Sequence, residues 1–225
     1  MVTDKLKQIL KNGTIYTPDA KVFITTTAAG AVEFTGDDLL SEITVEQSAL
    51  SPSGSPIGGL ATGELKVKLT SLTDNIHELL SIDEARDISF QLTFGDEIYS
   101  SDVYFIDKLE VSENRSEIVI TAYDPIHSLN VDYIEPTVSF PTTVGNWLLA
   151  FGNAYGVNID ATGLLFINDV IQRPNVDKQM TAKQVLSKFL EWNFAAGAYI
   201  DGKVVCRPLV STVEPVEELN GDSVQ

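Results

Sequence analysis

A chain of 225 residues, 44% of them hydrophobic, can build one large folded domain or two modest ones, which excludes wholesale disorder. Its 15 basic residues stand against 32 acidic ones, a formal net charge of −17, which argues against gripping nucleic acid by its phosphates. No apolar run approaches the roughly 18 residues of a membrane span. Asp4, Lys5, Lys7 and Gln8 interrupt any secretion-signal pattern, so export by a cleavable signal is not expected.

Residues 3–11 predict a short helix, with Leu6, Ile9 and Leu10 on one side and Gly13 to end it. From Lys21 the period becomes two. Val22 and Ile24, then Val32 and Phe34, flank an Ala-Ala-Gly turn and predict a hairpin, which Ile43 and Val45 continue. The stretch from Ser48 to Gly63 is rich in Ser, Pro and Gly and predicts a long loop with little to pack beyond Ile57 and Leu60. Alternation resumes at Leu65, Val67 and Leu69, and Leu72, Ile76 and Leu79 suit a short helical turn. Ile88, Phe90, Leu92 and Phe94 then alternate up to Gly95-Asp96. Strand-like segments follow from Ile98 to Ile106, over Leu109-Val111 and, beyond a polar turn at Glu113-Asn114-Arg115, over Ile118-Ile120-Ala122. Short strands joined by polar turns predict a sandwich or barrel over 14–124.

Near residue 140 the period changes to 3.6. Val144, Trp147, Leu148, Phe151 and Tyr155 predict an amphipathic helix entered from Pro141-Thr142-Thr143 and stopped by Gly156. A weaker strand is expected over Phe166 to Ile171. A second helix over 182–195 opens on Thr181, with Gln184 placed to close a capping box, and buries Val185, Leu186, Phe189 and Leu190. Gly197 is expected to end it in a left-handed conformation. Tyr199-Ile200 and Val204-Val205 flank Asp201-Gly202, a two-residue hairpin signal, because both turn positions need positive φ. The tail from Val213 carries Glu214, Glu217, Glu218 and Asp222 and is expected to be exposed. The fold class is therefore α+β, with antiparallel β structure first and a small α/β domain of two helices and a hairpin after it. The expected divisions are 1–128, 129–210 and an acidic remainder, 211–225.

Chemistry-bearing constellations are few. The single Cys206 cannot form an internal disulfide, and strand alternation makes it a small buried residue. With only His77 and His127, a histidine-rich metal site is not expected. Asp124-Pro125-Ile126-His127-Ser128 holds an Asp, a His and a Ser too close together in one turn for a nucleophile–base–orienter geometry. Asp37-Asp38 reads as a solvated turn without the alternating ligands of a calcium loop. Trp147 and Trp192 lie on apolar helix stripes and are expected in the core. No catalytic, cofactor-binding or metal-ligating residue is assigned, no cofactor is expected, and the chain is not read as an enzyme.

Three segments, taken in order, resemble the tail hub proteins of bacteriophages and phage-derived particles, including the N-terminal part of tail-associated proteins. The first is Phe34-Thr35-Gly36-Asp37-Asp38-Leu39-Leu40 with Ile43-Thr44-Val45-Glu46 and, after a variable loop, Leu60-Ala61-Thr62-Gly63-Glu64-Leu65-Lys66-Val67. The second is Ala122-Tyr123-Asp124-Pro125-Ile126-His127-Ser128-Leu129, leading through Asp132-Tyr133 to Phe140-Pro141-Thr142-Thr143. The third is the helix and hairpin around Ile200-Asp201-Gly202-Lys203-Val204.

The resemblance implies a structural protein of the virion, assembled in the host cell, with a tail-tube-like barrel joined to a small α/β domain. It implies a homotrimer in the full-length assembly, tail-tube and baseplate partners, and a channel through which DNA passes unbound. In such a hub the loop from Ser48 to Gly63 would lie where subunits meet and be ordered by assembly. Family members continue into a second barrel, so a chain ending at Gln225 is expected to be a fragment or a shorter variant. Outside the resemblance, β-rich architecture also allows a cell-wall hydrolase or a carbohydrate-binding adhesin module.

Overall fold

A computed structural model describes residues 19–26, 30–35, 40–48, 54–70, 85–113, 117–177 and 179–209. The helix expected over 3–11, the Asp37-Asp38 turn, His77, the turn holding Leu72, Ile76 and Leu79, and the acidic tail lie outside these residues. The strands before the helices are β1 (Asp19–Thr26), β2 (Gly30–Thr35), β3 (Leu40–Ser48), β4 (Leu60–Thr70), β5 (Ala85–Phe94), β6 (Glu97–Ser100), β7 (Tyr104–Val111) and β8 (Glu117–Tyr123). A 3-10 turn, Pro125–Leu129, leads to β9 (Thr142–Thr143), α1 (Val144–Tyr155), β10 (Ile159–Asp160), β11 (Val170–Ile171), α2 (Ala182–Trp192), β12 (Ala195–Ile200) and β13 (Lys203–Pro208).

Among the described residues, eleven strands form one mixed sheet curled into a half-barrel, ordered β10-β13-β12-β4-β8-β7-β5-β1-β2, with β3 beside β4 and β6 beside β5. β9 and β11 make a separate small sheet. Alternation sets the inner face. Along β4, Leu65, Val67 and Leu69 are fully buried while Glu64, Lys66 and Lys68 turn outward. Val67 lies opposite Ile120 of β8, and Ile24 of β1 opposite Ile88 of β5, so inward residues meet across the ladder. Burying each of these aliphatic side chains stabilises the fold by roughly 1.5–3 kcal/mol. Outward ion pairs such as Lys66–Glu64, Lys68–Glu117 and Lys108–Glu110 are exposed and add at most about 1 kcal/mol each.

A second core lies under the helices. Trp147 of α1 stacks on Phe189 of α2 with ring centroids 3.8 Å apart, and Leu148, Phe151, Leu186 and Leu190 close around them. Both helices begin on the expected threonines. The Thr143 hydroxyl accepts from the Asn146 amide, and Thr181 and Gln184 form a reciprocal capping box. Gly156 ends α1 at φ 66°. Asp201 and Gly202 turn the β12–β13 hairpin at φ 51° and 80°.

Several local expectations change. Gly197 does not cap α2; it sits inside β12, where a Cβ would come within 2.8 Å of Leu60 Cδ2. The helix stops at Trp192 because buried Asn193 turns its amide back to the Phe189 carbonyl, and Phe194 takes the positive φ of 50°. The segment Ile98 to Ile106 breaks at Ser101–Val103. There the Ser101 amide donates to Phe90 O and its hydroxyl accepts from Phe90 N, which completes the β5–β6 ladder and lets the chain cross over. Over Phe166 to Ile171 only the last two residues pair, against β9.

Candidate functional site

The place where half-barrel and helices join is built from a segment the composition marks as loop. Residues 60–63 are strand rather than loop, because Leu60 and Ala61 pair in parallel with Gly197 and Ala198 of β12. Just before them, the Gly58 amide donates to Ala195 O at 2.7 Å, and the Gly197 amide to Gly59 O at 2.9 Å. The buried Ser187 hydroxyl of α2 donates to Gly58 O at 2.6 Å. Gly58 has φ 78°, and a Cβ there would stand 2.2 Å from Glu191 Cγ and 2.9 Å from Ser187 O. Only glycine fits that backbone and that gap. The expectation that this stretch packs poorly fails for its second half, which is wedged between α2 and β12.

Two aspartates pin the joint further. Asp124, 5% exposed, accepts from Gly63 N at 2.5 Å and Ile126 N at 3.0 Å, so the end of β8 is tied to β4. Burial pushes its pKa up, and the amides of Gly63, Ile126 and His127 oppose that. Lys183 of α2 is held down by burial, against the attraction of Asp124, and its ammonium donates to the Thr62 hydroxyl. Asp102, in the β6–β7 connection, accepts from the amides of Asp201 and Gly202 at 3.1 and 3.2 Å, so the hairpin tip is fastened to the half-barrel.

None of this is catalytic geometry. Asp124 is engaged by backbone amides, Ser128 donates to Pro125 O, and His127 stacks on Tyr123 at 4.0 Å, so the three polar residues of that turn do not converge on one another. Among the described residues no three His, Cys, Asp or Glu side chains gather where they could hold a metal. Cys206 is buried on β13, and burial raises its thiol pKa to about 12. Trp147 is buried as expected. Trp192 is not: it ends α2 44% exposed, beside exposed Phe194 and stacked on Phe166 at 6.0 Å.

Two strand edges and a few large apolar side chains lie at the surface. Among the described residues β2 pairs only with β1, and β3 only with β4, so these two strands form edges of the half-barrel. Trp192 and Phe194, at the end of α2, and Leu209 are exposed, and the Leu209 amide donates to Phe194 O. Sequence reasoning missed Gly58, Asp102 and Lys183 because their partners lie far along the chain. The one local sign was Gly58-Gly59 set directly before an alternating apolar run.

No protein-family profile matches the chain, and no curated protein sequence does. Solved structures do. The 43 kDa tail protein of prophage MuSo2 from Shewanella oneidensis is similar with a TM-score of 0.53 and 14% identity, over 88% of this chain and 57% of that one. The tail protein from Neisseria meningitidis MC58 is similar with a TM-score of 0.53 and 14% identity, over 85% of this chain and 51% of that one. The chain therefore spans a little over half the length of each. At this identity the likeness is one of fold: the chain shares the fold of phage and prophage tail proteins.

Proposed function

We propose that this chain is a structural component of a phage or phage-like tail, part of the hub or baseplate ring at the tip of the tail tube, continuing its channel. The observation that carries the reading is the fold likeness to two tail proteins over more than four fifths of the chain. The three collinear motifs point the same way. In this reading residues 1–128 supply a tail-tube-like barrel, 129–210 the small helix-and-hairpin domain, and 211–225 an acidic remainder or the start of a further domain. The full-length protein forms a homotrimer, and the outer strands β2 and β3 face neighbouring copies or tail-tube and baseplate proteins. A net charge of −17 suits a wall that DNA passes without sticking. The role is non-enzymatic.

The test is composition and position. Purified particles should contain the protein, and gold-labelled antibody should mark the tube tip; deleting its gene should abolish complete tails. Absence from purified particles, with normal tails in the deletion strain, would sink the assignment. Clearing of host cell walls by the purified chain would instead make it a hydrolase, and saturable binding on a glycan array an adhesin.

A further inference from the structure

The β6–β7 connection, the start of β7 and the β12–β13 hairpin enclose a cleft of about 300 Å³. Asp102, Asp124 and Asp201 line it together with Tyr99, Tyr104 and Tyr199, and among the described residues no lysine or arginine does. Lys183 acts electrostatically on Asp124 but is not part of the lining, and its ammonium is engaged by Thr62. Asp102 and Asp124 are fixed in place before anything binds, through the backbone amides that hold them. Tyr104 supplies a second and separate observation. Its side chain is 93% buried (7% exposed), it faces the cleft, and its hydroxyl has no hydrogen-bond partner among the described residues. The hydroxyl opens onto the cleft, so its unused hydrogen-bonding capacity is available to whatever enters there.

We propose that this cleft binds a guanidinium group, that of an arginine side chain presented by a partner protein. The inference does not rest on the tail assignment. Three carboxylates around three phenols select a cation, and the class of cation follows from what remains free. The oxygens of Asp102 and Asp124 already accept backbone hydrogen bonds, so they cannot complete the six to eight oxygen ligands that a calcium-like ion requires. They can still accept a further hydrogen bond each. A guanidinium presents five donors in one plane, is weakly hydrated, and lies well against phenol rings, whereas an ammonium gives up more hydration for fewer donors. One donor reaches the idle Tyr104 hydroxyl oxygen. A free arginine would bring its α-carboxylate towards three like charges, which favours an arginine embedded in a chain.

The test titrates the whole protein with N-acetyl-arginine N-methylamide by calorimetry or NMR, with the lysine analogue, free arginine and calcium in parallel. Saturable millimolar binding of the blocked arginine is expected, ahead of both the lysine analogue and free arginine. Tyr104→Phe keeps the ring and removes the hydroxyl; Asp201→Asn removes a charge and keeps a residue that tolerates the positive φ. Each should weaken binding about tenfold, the loss of one charge-assisted hydrogen bond or ion contact. Melting temperatures near wild type show that both variants remain folded. No saturable binding, or equal binding in both variants, overturns the proposal. So does calcium outcompeting the blocked arginine, which would make the cleft a metal site, or free arginine binding tighter than the blocked form, which would make it an amino-acid site.

Discussion

The Ser187 hydroxyl donates a 2.6 Å hydrogen bond to the carbonyl of Gly58, although 129 positions separate the two in the chain. Both groups are buried, and the bond holds the entry to β4 against α2. Ser187→Ala leaves the Gly58 carbonyl short of a partner and should cost about 1–2 kcal/mol. Gly58→Ala should cost more, because it adds strain at a positive φ, itself about 1–3 kcal/mol, to an overlap with the Ser187 backbone. Urea denaturation with an unchanged m-value would check both; a Gly58→Ala protein as stable as wild type would mean that the joint has more slack than the geometry allows.

Asp160 gives the fold an acid-sensitive component. Its carboxylate accepts from the Thr162 hydroxyl and amide and from the Lys203 ammonium, which hold its pKa well below the usual carboxylate range. A group whose folded pKa is depressed stabilises the fold above its unfolded pKa of about 3.9, and that stability is lost as the pH falls further. Asp160→Asn should therefore be less stable at neutral pH and show a shallower loss between neutrality and strong acid. Parallel acid profiles for variant and wild type would contradict this.

At the other extreme the buried phenols act. Burial is the main reason that Tyr104 and Tyr133 titrate near pH 12 in the folded protein. Their unfolded value is about 10, so the stability they confer is complete below that pH and drains away as it rises towards 12. Tyr104→Phe should flatten part of this alkaline slope, measured by chemical denaturation at a series of pH values.

Cys206 offers a reporter of opening. Its thiol is buried on β13 and shifted up to about 12, so almost no thiolate exists at neutral pH. A thiol-reactive disulfide reagent should leave the native protein unmodified over hours and react promptly in denaturant. Fast labelling of the native state would mean that the β12–β13 hairpin opens locally.

The elements that could be read from sequence are those whose chemistry is local. Thr181 and Gln184 cap within one helical turn, Thr143 and Gly156 bracket α1, and Asp201-Gly202 dictates its own turn. Alternation along Val22–Ile24, Leu65–Leu69 and Ile88–Phe94 correctly gives inner and outer faces. It does not tell which strands are neighbours. That Leu60 pairs with Gly197, that Asp102 reaches the hairpin tip, and that Gly197 is small for packing rather than for a left-handed cap all depend on contacts made across the fold. The cleft has the same cause: its six acidic and aromatic residues come from three separated stretches, and no spacing rule links them.

β4 carries Leu60 into the core beneath the helices and Leu65, Val67 and Leu69 into the core of the half-barrel, without leaving extended geometry. At about 3.4 Å per residue, Leu60 to Leu69 is a rod of roughly 30 Å. A push or pull on the helical layer is delivered along that rod, parallel to its flanking strands, so the ladder bonds to β3 and β8 share the load instead of parting one at a time. Half-barrel and helical layer are thus joined by one continuous strand rather than by a linker.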